Sequence, residues 1–265
     1  METTQETQTT KSHPLHQLDR LLRGDATRSE HLKTGFAVSP SGLIVVILAL
    51  GFFYGACMGC YALFQQGGSS VAQFLSTMGK VPLLFLLTFF VTFPSLYVFN
   101  ALVGSRLTLQ AVARLVVAAL AVMLAILASL GPIVAFFSLS TTSYSWMLLL
   151  NVMVFAVSGF LGLRFLLVTL HRLTEAQRED IEVPSQDDLL NIDNGALDRP
   201  NNATRDASVS RVFTIWLCVF GLVGAQMAWV MRPFLGLPGG EFVLLRLRES
   251  NFFQGLWNTI LAAMS

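Results

Sequence analysis

Charge is what this chain has least of: Asp, Glu, Lys and Arg make up 12% of its 265 residues, against 54% hydrophobic residues and a mean hydropathy of +0.62. A soluble domain carries about a quarter charged residues, so a water-soluble globule is excluded. The 17 Lys and Arg nearly balance 16 Asp and Glu. No basic field attracts nucleic acid, and no stretch interleaves Lys or Arg with aromatics. Cysteine is scarce too, with three residues, so no disulfide framework is implied. Cys57 and Cys60 form C-x-x-C, but within an apolar run they lack the exposed, thiolate-stabilising surroundings of a redox pair, and no second Cys/His pair completes a zinc site. Their expected role, like that of Cys218, is packing. No cofactor and no metal are expected.

The long apolar runs contain no Asp, Glu or His; all four histidines (13, 16, 31 and 171) lie outside them. Intramembrane hydrolysis needs a nucleophile with a base, or paired carboxylates, at membrane depth. Ion-coupled transport normally marks its path with ionisable residues. Both lack their parts here, and the expectation is that the chain is not an enzyme.

What the chain does have is hydrophobic length. Crossing about 30 Å of hydrocarbon takes about 20 apolar residues in a helix that bonds its own backbone. Five segments qualify: Gly42–Phe64, Val81–Val103, Leu109–Leu130, Tyr144–Val168 and Val212–Met231, of which only the third and fourth carry a charge, Arg114 and Arg164, each placed to snorkel to lipid phosphate. The first run follows some forty polar residues without a basic leader or cleavage site, so residue 1 is expected to stay on the protein. With the N-terminus inside, 13 Lys and Arg lie on the cytoplasmic side and only Lys80, Arg232, Arg246 and Arg248 on the other. The fold class expected is therefore all-α, a polytopic integral membrane protein of five transmembrane helices, N-in/C-out, with a peripheral amphipathic C-terminal helix.

The organisation follows. Residues 1–41 form a cytoplasmic segment in which Leu15, Leu18 and Leu22 make a short amphipathic helix after Pro14, suited to headgroups or to a cytosolic partner. Residues 42–171 form a four-span domain. Residues 172–211 form an acidic loop, with nine acids against three arginines over 175–206, expected to be disordered. Asp187-Asp188-Leu189-Leu190 within it is a candidate partner motif, and the sequon Asn202-Ala203-Thr204 falls on the cytoplasmic side, where it goes unused. The fifth span covers 212–231, and 232–265 is an outer-face tail.

In that tail Phe252, Phe253, Leu256, Trp257, Ile260, Leu261 and Met264 share one helical stripe, with Ser250 as N-cap and Trp257 as interfacial anchor. The stripe is expected to hold the tail against the membrane or a neighbouring subunit. Arg232 caps the C-terminus of the fifth span. Arg232, Phe253 and Trp257 are the candidate contacts for a partner or for lipid.

Small residues mark the helix-packing faces. Gly51, Gly55 and Gly59 form G-x-x-x-G-x-x-x-G in the first span. Ala118, Ala121, Ala125 and Ala128 line the third, and Gly221/Ala225 with Gly224/Ala228 line the fifth. Asn100, Asn151, Ser158 and Gln226 are the polar residues at depth, expected to bond between helices, and Pro94 can kink the second span.

Residues 81–170 run from a Pro-bearing span through Leu102-Val103-Gly104-Ser105-Arg106-Leu107-Thr108-Leu109-Gln110 into an Ala/Leu helix ending at Leu130-Gly131-Pro132. This stretch resembles the middle of Yip1-family membrane proteins. The resemblance implies five spans, a cytosolic N-terminus and an outer C-terminus, in a family of eukaryotic trafficking factors and bacterial members with no implied enzyme activity. The functional expectation is a non-catalytic adaptor or accessory subunit of a membrane complex, in a bacterial cytoplasmic (inner) membrane. Its partners would be the lipid bilayer and either a protein or a second copy of the chain. The alternative is a small transporter or pore-forming subunit.

Overall fold

The computed structural model describes residues 14–23, 40–65, 71–102, 109–179, 202–235, 242–245 and 250–264. Among these there are seven helices and no strands: α1 Pro14–Leu22, α2 Pro40–Gln65, α3 Val71–Leu102, α4 Leu109–Ser140, α5 Tyr144–Glu179, α6 Asn202–Val230 and α7 Phe252–Met264. Four helices are long and apolar enough to cross a membrane, over Ser41–Phe64, Val71–Ser95, Val112–Ser140 and Tyr144–Arg172. The apolar stretch of α6 is shorter, at Thr214–Val230.

The helices pack in a closed cycle, α2 on α3, α3 on α6, α6 on α5, α5 on α4 and α4 back on α2. Inside it Tyr54, Leu115, Leu124, Leu127, Met147 and Trp216 are almost wholly buried. Large apolar side chains also point outward; Phe90 is 77% exposed and Phe160 67%. So much outward apolar surface, spread over several helices, suits a hydrocarbon solvent rather than water. The protein is a helical membrane protein.

Three boundaries depart from expectation. The second apolar helix starts at Val71, ten residues before Val81, and so contains Lys80; the run is not charge-free. Lys80 reads as a boundary in sequence because a solvated ammonium ends a span, whereas here it is buried and bonded. Helix α4 passes Leu130 and continues through Gly131 and Pro132 to Ser140. Helices α5 and α6 extend into the expected acidic loop as far as Glu179 and from Asn202, leaving 180–201, with the Asp187–Leu190 motif, outside the described residues.

The N-terminal helix also differs. It buries Leu18 and Leu21 against α2 and α4, while Leu22 is 53% exposed and the side chain of Leu15 is outside those described. Gln17 lies against Gly42 at the start of α2. The part of the amphipathic face formed by Leu18 and Leu21 is thus taken up within the chain, against α2 and α4. On its exposed side Arg23 pairs with Asp19 at 2.9 Å, one turn back.

Candidate functional site

The glycine series of α2 meets the first half of α3. A Cβ on Gly51 would lie 2.9 Å from Pro82 Cβ, one on Gly55 2.7 Å from Met78 Cα, and one on Gly59 2.9 Å from Phe74 Cδ2. Phe74, Met78 and Pro82 are themselves spaced by four, so two ladders of matching period mesh turn by turn. Of the other small residues, Ala121 is fully buried, Ala125 is packed against the core, and Gly224 makes an ordinary 3.6 Å contact with Thr88. Gly221 has nothing within 4 Å. Two close approaches were not anticipated: Gly131 against Cys57, and Gly162 against Met123. Cys57, Cys60 and Cys218 are free thiols.

Of the polar residues at depth, Asn151 bonds across helices: Tyr54 donates its hydroxyl to Asn151 Oδ1 at 2.9 Å, and Asn151 donates to Met147 O. Ser158 bonds back to Val154 O within its own helix, and the side chain of Asn100 is outside those described. Trp216 does what no sequence signal announced, donating Nε1 to Ser95 Oγ at 3.0 Å and so joining α6 to α3 beside Pro94.

Close tertiary bonding concentrates where the chain leaves α6. Its next residues turn onto the start of α3, where Gln73, Thr77 and Lys80 are 4%, 0% and 5% exposed. Gln73 Nε2 donates to Pro233 O and Phe234 O, each at 3.1 Å, and Thr77 Oγ1 donates to Phe234 O and Gln73 O. Lys80 Nζ donates to Pro233 O at 2.8 Å and to Leu244 O at 2.6 Å, with the Phe234 ring 5.9 Å away. Apart from a long contact from Gln73 Nε2 to Thr77 Oγ1 at 3.4 Å, every acceptor is main chain. The three donors lie at i, i+4 and i+7 on one face of α3, a polar stripe that sequence reasoning missed because it fell just before the expected start of the span.

Beyond this seat the chain is held again. Trp229 Nε1 donates to Ser250 O at 2.5 Å, Phe252 N donates to Gln226 Oε1, and the Trp229 ring occupies the space above Gly255. Arg232, half-buried, stacks on Trp229 with its guanidinium 3.8 Å from the ring centroid. The N-cap of α7 is Asn251, whose Oδ1 accepts from Gln254 N at 2.9 Å. Ser250 does not take that part, because its carbonyl is engaged by Trp229 and the helix opens one residue later than the sequence suggests.

Helix α7 lies on α5 and α6. Gly255 is buried and Phe252, Leu256, Thr259 and Ile260 half-buried, while Phe253, Trp257 and Leu261 are 55%, 62% and 51% exposed. The expected stripe therefore divides within the chain: Phe252, Leu256 and Ile260 lie toward the bundle, and Phe253 and Trp257 face away from it. A sequence wheel groups apolar residues by kind and cannot tell which of two adjacent apolar sectors finds protein.

No group of three or more His, Cys, Asp or Glu that could hold a metal ion occurs among the described residues. Comparison with protein-family models, curated proteins and solved structures finds no match to this chain. Of the stretch 81–170 on which the family resemblance rests, residues 103–108 lie outside those described.

Proposed function

We propose that the protein is a five-span, N-in/C-out adaptor or accessory subunit of a membrane complex in a bacterial cytoplasmic membrane, without catalytic activity and organised like Yip1-family proteins. The observation that carries this is the anchored helix α7, with Phe253, Trp257 and Leu261 displayed on a mount fixed by Trp229, Gln226 and Gly255. A rigidly held helix displaying large apolar side chains is suited to contact with a neighbouring protein or a second copy of the chain.

Two features support the topology. The 17 residues of Thr214–Val230 span about 26 Å as a helix, the lower limit for a crossing, and α6 completes the cycle with the four longer helices. The 13-to-4 division of Lys and Arg favours the N-terminus inside.

The transporter or pore reading draws on a different observation, the ammonium of Lys80 buried within an apolar helix. Two of its donors are spent on carbonyls of the same chain, which favours a structural use. A photo-crosslinking amino acid at position 257 in native membranes tests the adaptor reading. A discrete protein adduct is expected, and adducts to lipid alone would refute it. Solute flux in proteoliposomes of the purified protein would shift the assignment to the transporter.

A further inference from the structure

The geometry points to a latch in which Lys80 acts as a tethered cation, seated between the carbonyls of Pro233 and Leu244 and holding 231–235 and 242–245 against α3. Pro233 and Leu244 lie eleven residues apart along the chain, yet one Nζ bonds both, so the ammonium ties the two described stretches to the same point of the bundle. Three observations make this more than incidental contact.

First, the ammonium is buried at 5% exposure, and among the described residues its partners are the main-chain oxygens of Pro233 and Leu244 together with the Phe234 ring face. A buried cation that loses such acceptors is costly, so the bonds bind the segment to the lysine as firmly as they bind the lysine to the segment. Second, Gln73 and Thr77 extend the same recognition along the same face by donating to the same kind of acceptor, Gln73 to Pro233 O, which Lys80 also holds, and both to the neighbouring Phe234 O. Third, within the held stretches Met231, Pro233 and Leu235 are buried, whereas Phe242, Val243, Leu244 and Leu245 are 43–57% exposed. Apolar packing thus accounts for the first stretch but not for the second, which among the described residues is tied to α3 by the bond from Lys80 to Leu244 O. The latch concerns the tail's attachment and does not depend on which partner α7 meets or on the membrane topology.

The test uses the full chain with Cys57, Cys60 and Cys218 changed to Ala and a single reporter, Leu235→Cys, since Leu235 is 3% exposed. Its rate of reaction with a maleimide is measured in mild detergent. In Lys80→Ala the rate is expected to rise about tenfold or more, the scale of losing hydrogen bonds to a charged group. Added n-propylammonium, which restores a cation and the three missing methylenes, should slow labelling again, while n-propanol at the same concentration should not. An unchanged rate in Lys80→Ala would overturn the latch. So would equal restoration by propanol, because volume rather than charge would then be the cause. The companion variant Gln73→Met with Thr77→Val keeps the cation and should loosen the segment less than Lys80→Ala. Loosening as large or larger would assign the hold to the neutral donors instead.

Discussion

Gly55 and Gly221 are both glycines in apolar helices, and their surroundings demand opposite outcomes. A methyl on Gly55 would meet the backbone of Thr77 and Met78, which cannot yield without moving α3, whereas one on Gly221 meets nothing within 4 Å. Gly55→Ala is expected to destabilise by about 1–3 kcal/mol, the usual scale of overpacking. Gly221→Ala should be neutral or stabilising by up to about 1 kcal/mol, since alanine is the better helix former. Thermal unfolding of the two variants in one detergent makes the comparison. The Tyr54–Asn151 bond is a smaller matter. Hydrogen bonds between membrane helices average about 0.6 kcal/mol, so Tyr54→Phe should cost less than Gly55→Ala, and a double-mutant cycle with Asn151→Leu should return a coupling of about that size. A larger loss for Tyr54→Phe than for Gly55→Ala would mean that polar bonding, not close approach, holds α2 in place.

At the scale of the element, α7 separates its docking side from its display side. Gly255 lies directly under the Trp229 ring, so Gly255→Leu should lift the helix from α5 and α6 and expose residues 250–264 to protease. Phe253→Ser with Trp257→Ser changes side chains more than half exposed and should leave that digestion rate as in wild type in detergent. Accelerated cutting in the double serine variant would show that the outward stripe, not the inward face, docks the helix. Helix α1 illustrates the same limit of periodicity. Its Leu spacing was legible, but among the described side chains Leu18 and Leu21 are buried and Leu22 is not, because which of the neighbouring apolar positions is covered depends on the packing against α2 and α4.

For the whole molecule the decisive property is whether α6 crosses. Accessibility probes at positions 190 and 265 should report opposite sides of the membrane, with 190 in the cytoplasm. Both on the same side would leave four crossings and make α6 a helix that enters without traversing. The cycle of contacts through α3, α6 and α5 favours traversal, since α6 reaches Ser95 near one end of α3 through Trp216 and lies near the other end where Gln73 holds Pro233.

The sequence by itself determined that this chain is a bundle of apolar helices, because the tendency of a segment to leave water is a sum over about 20 consecutive residues and needs no knowledge of neighbours. It also marked Gly51, Gly55 and Gly59 as a face for close approach, since absent side chains are visible in any register. Only the tertiary structure decided that Phe74, Met78 and Pro82 fill that face, and that Lys80 is buried rather than a boundary. It also decided that Asn251 rather than Ser250 caps α7 and that Phe253 and Trp257 look outward. Most of these depend on groups far apart in the chain, 160 residues in the case of Gln73 and Pro233. A charged or polar side chain changes from liability to clasp when such a partner arrives, and no local sum of hydropathy contains that partner.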